Sequence, residues 1–367
     1  MERILRVLGD YSSGRDNNFN LLRVLAALFI AFYHCYFNLL GPDLFGDRYS
    51  TPALASQIVL NFFFLISGFL IAQSFINRRD VVSYFVARVL RLVPGLFVLA
   101  LFICLLIGPA VTGVSLIDYF TSAQTLAYVP FTTLMDPDRT LPGVFTLNPN
   151  PNELDVSIWT LRYEVICYIG LCIIGVLGFL DDKFRYALVV AVALTGYCVI
   201  SYLTPLREIE GLDHLLHFGL SFIAGTTFYV FRQSIPLHFG YVTGLVLLAL
   251  LIGKYASWHA SEPFTILATG YAVFWFAFIP AGSIRAYNGV GDYSYGVYIY
   301  HYPVEQTLVH YFGAHSFSPV GLFAVMLPLV IFFAFLSWHL IERPSLRKLS
   351  TITNWLKSSF SSKTRTI

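Results

Sequence analysis

Arg23 and His34 lie eleven residues apart in one apolar run, LLRVLAALFIAFYHCYFNLLG at Leu21–Gly41. On an α-helix that spacing leaves them about 20° apart on one face and ~16 Å apart along the axis. Ionisable groups inside a membrane-spanning run are costly and are functional by default. An arginine near the end of such a run can simply snorkel to the surface, and a histidine can be a hydrogen-bonded packing residue. Their shared face makes both readings less satisfactory. Three further segments carry the same kind of pattern. In SIWTLRYEVICYIG, Ser157, Leu161, Glu164 and Tyr168 fall on one helical face, with a structural ion pair to Arg162 as the plainer reading of Glu164. In GDYSYGVYIYHYP, Ser294, Tyr298 and His301 share a face, while Tyr293 and Tyr295 suit an interfacial aromatic belt better. In INRRDVVSYFVARVLRLVPGL, Tyr84, Arg88 and Arg91 share a face just before Pro94. Two arginine forks there suit a multiply phosphorylated ligand, although a basic juxtamembrane cluster also serves topology or anionic lipid.

The elements that must position these groups are transmembrane helices. Of 367 residues, 57% are hydrophobic and 12% charged, with mean hydropathy +0.68, against about 25% charged in soluble globular chains. Apolar stretches of spanning length fall near 20–41, 54–77, 92–114, 157–180, 185–204, 213–231, 239–256, 263–281, 290–312 and 317–341. The predicted fold is therefore all-α and polytopic, with about ten transmembrane helices. The expected organisation is a cytoplasmic segment 1–19, a membrane domain 20–345 and a cytoplasmic tail 346–367. With both termini in the cytoplasm, 18 of the 23 lysines and arginines lie inside, as the positive-inside rule requires. Arg48, Arg139, Arg207 and Lys254 lie outside, and Arg162 sits within a span. The one long polar connection, 115–156, is external and is read either as a lid or acceptor-binding loop or as a passive connector. The net charge of +2 gives no reason to expect a nucleic-acid partner. Five cysteines (Cys35, Cys104, Cys167, Cys172, Cys198) lie in apolar runs without metal-binding spacing and read as small core residues. No metal is expected.

Taken together, these segments resemble the membrane-bound acyltransferase-3 family, whose members O-acylate bacterial surface glycans. The resemblance covers about residues 18–345. It rests on Arg23 and His34 as an R-x10-H signature, on FFFLISGFLI around Ser67–Gly68–Phe69, and on Arg88-x-x-Arg91 followed by Pro94. It continues with S-x-W-x-L-x-x-E at Ser157–Glu164, SYxxYxxHxP at Ser294–Pro303, and IERP ending at Pro344. Each alone is a weak pattern, but six in family order on about ten spans are specific. Two positions depart from the family. Asn61 stands where an acidic residue is common, and Arg162 where an uncharged one is usual. No esterase-like domain follows, which fits the stand-alone form.

The resemblance implies a bacterial inner-membrane O-acetyltransferase. It would take acetyl-CoA from the cytoplasm and acylate a saccharide hydroxyl of a surface polysaccharide, lipopolysaccharide O-antigen or oligosaccharide. His34, Arg23 and Glu164 would be catalytic, with Ser67, Trp159, Ser294, Tyr298 and His301 in support and Arg88 and Arg91 holding the donor's phosphates. Chemistry fits those roles. The thioester is already activated, so the hydroxyl is what needs a base, and a neutral imidazole serves near pH 7. Glu164 is expected to orient that imidazole as the acid does in a hydrolase triad. The expected reaction centre is in the outer half of the membrane, where His34 and Glu164 come to similar depth. A transporter or flippase of a lipid-linked saccharide is the alternative class, since it too would embed polar groups in its spans.

Overall fold

The computed structural model describes residues 6–12, 14, 16–41 and 51–363. Arg3, Arg15, Arg48 and Arg365, which entered the topology argument, lie outside the described residues. The long helices are α1 (Phe19–Leu40), α2 (Thr51–Arg78), α3 (Val81–Val111), α4 (Ala123–Thr133), α5 (Trp159–Val176) and α6 (Lys183–Leu203). They are followed by α7 (Glu210–Val230), α8 (Phe239–Tyr255), α9 (Trp258–Phe278), α10 (Ser294–Phe312), α11 (Pro319–Leu336) and α12 (Leu349–Lys363). Short polar loops start them with side-chain caps. Asp80 Oδ1 accepts from Ser83 N at 3.2 Å, and Asp182 Oδ2 from Phe184 N and Arg185 N, which satisfies first-turn N–H groups. Among the described residues the only strand-like pairing is a single bridge, Val7 with Pro236.

The all-α membrane fold is as expected, but the count of ten spans is not reproduced by length and composition. Among the described residues six helices qualify, and the pair Trp258–Phe278 and Gly282–Gly289, bent by 89°, makes a seventh if taken as one span. Phe239–Tyr255 is apolar but shorter. Two predicted spans, α7 and α10, fall short for a physical reason. Their polar residues are turned into protein: in α10 every residue from Ser294 to Gln306 is buried. A helix enclosed by other helices needs no continuous apolar surface toward lipid.

The chain forms two compact units. The first gathers residues up to Ala26, Leu54–Arg79 and Tyr163–Gly291. In it, α2 and α7 approach through reciprocal glycines. A Cβ on Gly68 would stand 2.1 Å from the carbonyl oxygen of Phe222, and one on Gly225 would stand 2.1 Å from that of Leu65. Small residues at a crossing let backbones touch, as membrane helices require. Leu65, Tyr197, Leu220 and Ile266 form a buried cluster beside them. The same unit holds a buried ionic knot. Glu262 on α9 accepts from Arg207 at 2.5 Å, from the Tyr197 hydroxyl at 2.6 Å and from His217 Nδ1 at 2.8 Å, while Arg207 also donates to Asp213 at 2.5 Å. This ties α6, α7 and α9. Arg207, read from sequence as an ordinary outer-loop cation, is buried in it.

The second unit comprises Ala27–Ala53, Asp80–Arg162 and the chain from Asp292 onward. Here α10 is the central element. A Cβ on Gly95 of α3 would meet the Tyr295 ring at 2.7 Å, and one on Gly296 would meet the Ala334 backbone of α11 at 2.6 Å. The Tyr295 hydroxyl donates to the Leu92 carbonyl at 2.8 Å. Beyond α11 a π-helical turn, Ser337–Glu342, and the short helix Arg343–Arg347 lead into α12, which runs to Lys363.

Candidate active site

Within the second unit, α1 and α10 bring His34 and His301 together. Their rings are parallel within 7°, with centroids 5.1 Å apart, and His34 Nδ1 is 2.8 Å from His301 Nε2. The network assigns both tautomers. His301 Nδ1 lies 3.1 Å from the Val297 carbonyl, which can only accept, so this nitrogen carries the hydrogen. Its Nε2 is then a lone-pair acceptor, receiving the Nδ1–H of His34 and, at 3.2 Å, the hydroxyl of Ser157. Neutral His34 accordingly keeps its lone pair on Nε2. Among the described residues nothing hydrogen-bonds to that nitrogen. The pair therefore presents one basic nitrogen, oriented from behind by a fixed acceptor, as a general base requires.

One turn along the same two helices, Asn38 Nδ2 donates to Glu305 Oε2 at 2.8 Å. The end of the long connection is stitched onto this face. Asn148 Nδ2 donates to the side-chain and backbone oxygens of Gln306, at 2.7 and 2.9 Å, and Asn150 Nδ2 to the Phe37 carbonyl at 2.8 Å and Asn38 Oδ1 at 3.2 Å. Gln306 returns bonds to the carbonyls of Asn150 and Glu153, and the Tyr302 hydroxyl donates to Glu153. Burial pushes the carboxyls of Glu153 and Asp155 above the usual range. Residues 148–157 are thus strapped by hydrogen bonds onto α1 and α10. The sequence carried one signal for this polar face: Asn38 and Glu305 each lie four residues beyond a histidine, on its own helical face.

The other expected site residues distribute as follows. Tyr298 hydrogen-bonds Thr160 at 2.7 Å, and Trp159 opens α5. Arg23 is half-buried on α1. In the first unit, Glu164 accepts from the Ser67 hydroxyl at 2.9 Å and from the Tyr168 hydroxyl, so Ser67 serves Glu164. The expectation that Glu164 orients His34 is corrected on this point: the Nδ1 partner of His34 is His301. Arg91 is also committed. Its two terminal nitrogens bind Asp292 at 2.8 Å and Glu342 at 2.9 Å. Ser294 donates to Asp292 at 2.5 Å and Ser337 to Glu342 at 2.9 Å. The conspicuous SY and IERP segments thus converge on Arg91, where one guanidinium faces two carboxylates. Arg88 lies over the Tyr84 ring, 4.8 Å from its centroid. Among the described residues no group of three His, Cys, Asp or Glu is arranged to hold a metal ion.

Comparison with known proteins agrees with this picture. The model of an acyltransferase domain matches residues 16–339. Nodulation protein 10 of Rhizobium leguminosarum bv. viciae is 31% identical, over 92% of this chain and 95% of its own length. The O-acetyl transferase of Shigella phage Sf6 is 27% identical, over 92% of this chain and 98% of its own. No solved structure matches. A polytopic helical chain with a paired, tautomer-fixed imidazole, matched by that domain over nearly its whole length, belongs to the membrane acyltransferase-3 family.

Proposed function

We propose that the protein is a membrane O-acetyltransferase that moves acetyl from cytoplasmic acetyl-CoA to a hydroxyl of a surface saccharide, with His34 as general base. The observation that carries this reading is the lone pair left on His34 Nε2 by the His301 and Val297 bonds. In the reaction Nε2 takes the proton of the acceptor hydroxyl as its oxygen attacks the thioester carbonyl. A C–O bond forms and the C–S bond breaks. The imidazolium then returns the proton to the departing thiolate. His301, accepting from His34 Nδ1–H, steadies the imidazolium between these steps. Arg88 and Arg91 are the proposed anchors for the donor's phosphates, and a phosphate reaching Arg91 must displace one of its carboxylates. Arg23 is proposed to lie on the donor's path and Glu164 to act on the acceptor side. The name of the phage relative supports the acetyl group and the oxygen acceptor. The proposed location is the bacterial inner membrane, with both termini cytoplasmic.

The test is direct. The purified protein in lipid nanodiscs receives radiolabelled acetyl-CoA and alkali-treated, de-O-acetylated surface polysaccharide from cells that carry the gene. Label should pass to the polysaccharide and should not do so with His34→Ala. Absence of transfer by the unaltered protein overturns the reading, and saccharide movement without acetylation favours a flippase.

A further inference from the structure

Three buried oxygens of this unit receive no N–H or O–H donor among the described residues: Oδ1 of Asn150, Oδ2 of Asp155 and Oε1 of Glu305, whose carboxyl has only the weakly donating Cys35 thiol beside Asn38. The residues are 1%, 2% and 0% exposed. Buried acceptors are nearly always paired, and one left unpaired calls for an explanation. Three in one connected network call for a common one. The connections run through the site already described. Asn38 bonds both Glu305 and Asn150. Asp155 caps the Ser157 amide at 3.1 Å with its other oxygen, and Ser157 donates to His301. The Asp155 carboxyl is also close enough to Glu305 to act on it electrostatically. Glu305 stands one helical turn, ~5.4 Å, beyond His301, and Asn38 one turn beyond His34.

We infer that Asn150, Asp155 and Glu305 form the hydroxyl-binding subsite of the acceptor, a polyhydroxylated ring of the saccharide class, seated one turn beyond the catalytic imidazole. This rests on the acyl-transfer reading and adds the residues that would hold the acceptor. The chemistry selects the ligand. Every unpartnered atom is an acceptor, so the missing groups are O–H or N–H donors, which adjacent sugar hydroxyls supply in number. These three side chains include no cation to hold the phosphates of coenzyme A, so the atoms that suit a neutral polyol offer the donor no anchor. The strap supplies Asn150 and Asp155 and must part to admit a glycan.

The experiment measures apparent KM for each substrate in nanodiscs, with acetyl-CoA and the de-O-acetylated polysaccharide as probes. Asp155→Asn and Glu305→Gln keep shape and replace one carboxyl oxygen by an amide nitrogen that can only donate. Each should raise the KM for polysaccharide about 10-fold, since a hydrogen bond lost in a buried site leaves its partner unsatisfied, with the KM for acetyl-CoA within two-fold. A rise in the acetyl-CoA KM instead assigns the oxygens to the donor. Unchanged KM values mean that resident water satisfies them. Either result overturns the inference. A second measurement needs neither substitution to fold nor catalysis to occur. Exposed Pro151 is changed to cysteine in a chain whose five native cysteines are alanine, and its maleimide labelling is timed. Polysaccharide should slow labelling several-fold and acetyl-CoA should not. Labelling indifferent to polysaccharide overturns the subsite. Protection without any acetyl transfer by the unaltered protein keeps the subsite and removes the acyltransferase reading.

Discussion

The role proposed for His34 depends on a carbonyl it never touches. Because Val297 O takes the Nδ1–H of His301, His301 Nε2 can only accept, and His34 is left basic at Nε2. His34→Ala should therefore lower kcat by about 10²–10⁴-fold, the usual contribution of a general base, in protein that still inserts. His301→Ala frees the His34 tautomer without removing the base. It should lower kcat by less, leave the KM for acetyl-CoA unchanged, and partly recover on changing position 301 to Gln, whose side-chain oxygen can accept from His34. Equal, complete loss in both His301 variants would make that residue structural. The arginines divide similarly. Arg91→Lys replaces a fork that spans Asp292 and Glu342 with a single point charge. Detergent-extracted protein should melt at lower temperature, whereas Arg88→Lys should raise only the KM for acetyl-CoA. Identical effects at 88 and 91 would argue against an ion-pair hub at Arg91. At this scale the sequence shows only what recurs on one helix, such as the spacing of His34 to Arg23 and the shared face of Ser157, Glu164 and Tyr168. The His34–His301 and Asn38–Glu305 contacts each join residues 267 apart, and helical periodicity carries no trace of such pairings.

Among the elements, α2 shows how one short motif does two jobs. Ser67 bonds Glu164, and its neighbour Gly68 lets α7 lie directly on the backbone, with the Thr226 hydroxyl donating to the Gly68 carbonyl at 3.2 Å. The contact needs the absence of a side chain. Gly68→Ala puts a methyl 2.1 Å from a carbonyl oxygen, so α2 and α7 must separate. Overpacking of this kind costs typically about 1–3 kcal/mol. The expected outcome is a lower melting temperature together with reduced acetyl transfer, because Ser67 moves with its neighbour. A Gly68→Ala protein with normal stability and activity would show that the crossing is adjustable. Element type was plain in the sequence because apolar runs of spanning length read directly as helices. What α7 and α10 bury was not plain, because a polar residue facing a buried partner and one facing water are the same letter. The strap was legible only as a polar loop rich in Pro and Asn. Its hydrogen bonds come from Gln306 and Tyr302, 158 and 149 residues further along the chain.

For the molecule as a whole, α10 sets the scale of the second unit. At its start Asp292 and Ser294 hold Arg91, and His301 follows seven residues after Ser294, a rise of ~10 Å. At its far end Glu305 and Gln306 meet the strap, eleven and twelve residues after Ser294 and ~17 Å along the axis. On the proposed reading the donor's anchor at Arg91 is at one end of this buried helix and the acceptor's subsite at the other, with His301 and its partner His34 between them. Such polarity suits an enzyme that draws its two substrates from opposite sides of a membrane. Acetyl-CoA does not cross a bilayer, so the arrangement can be tested in sealed vesicles from cells expressing the protein. Inside-out vesicles, which turn the cytoplasmic face outward, should consume added acetyl-CoA and acetylate glycan enclosed in their lumen. Right-side-out vesicles should remain inactive until permeabilised. The Asp155→Asn protein should retain this sidedness while transferring label more slowly, because its defect lies at the acceptor end. Equal use of acetyl-CoA from both faces would mean that donor and acceptor enter by one mouth, and the division of labour along α10 would have to be abandoned.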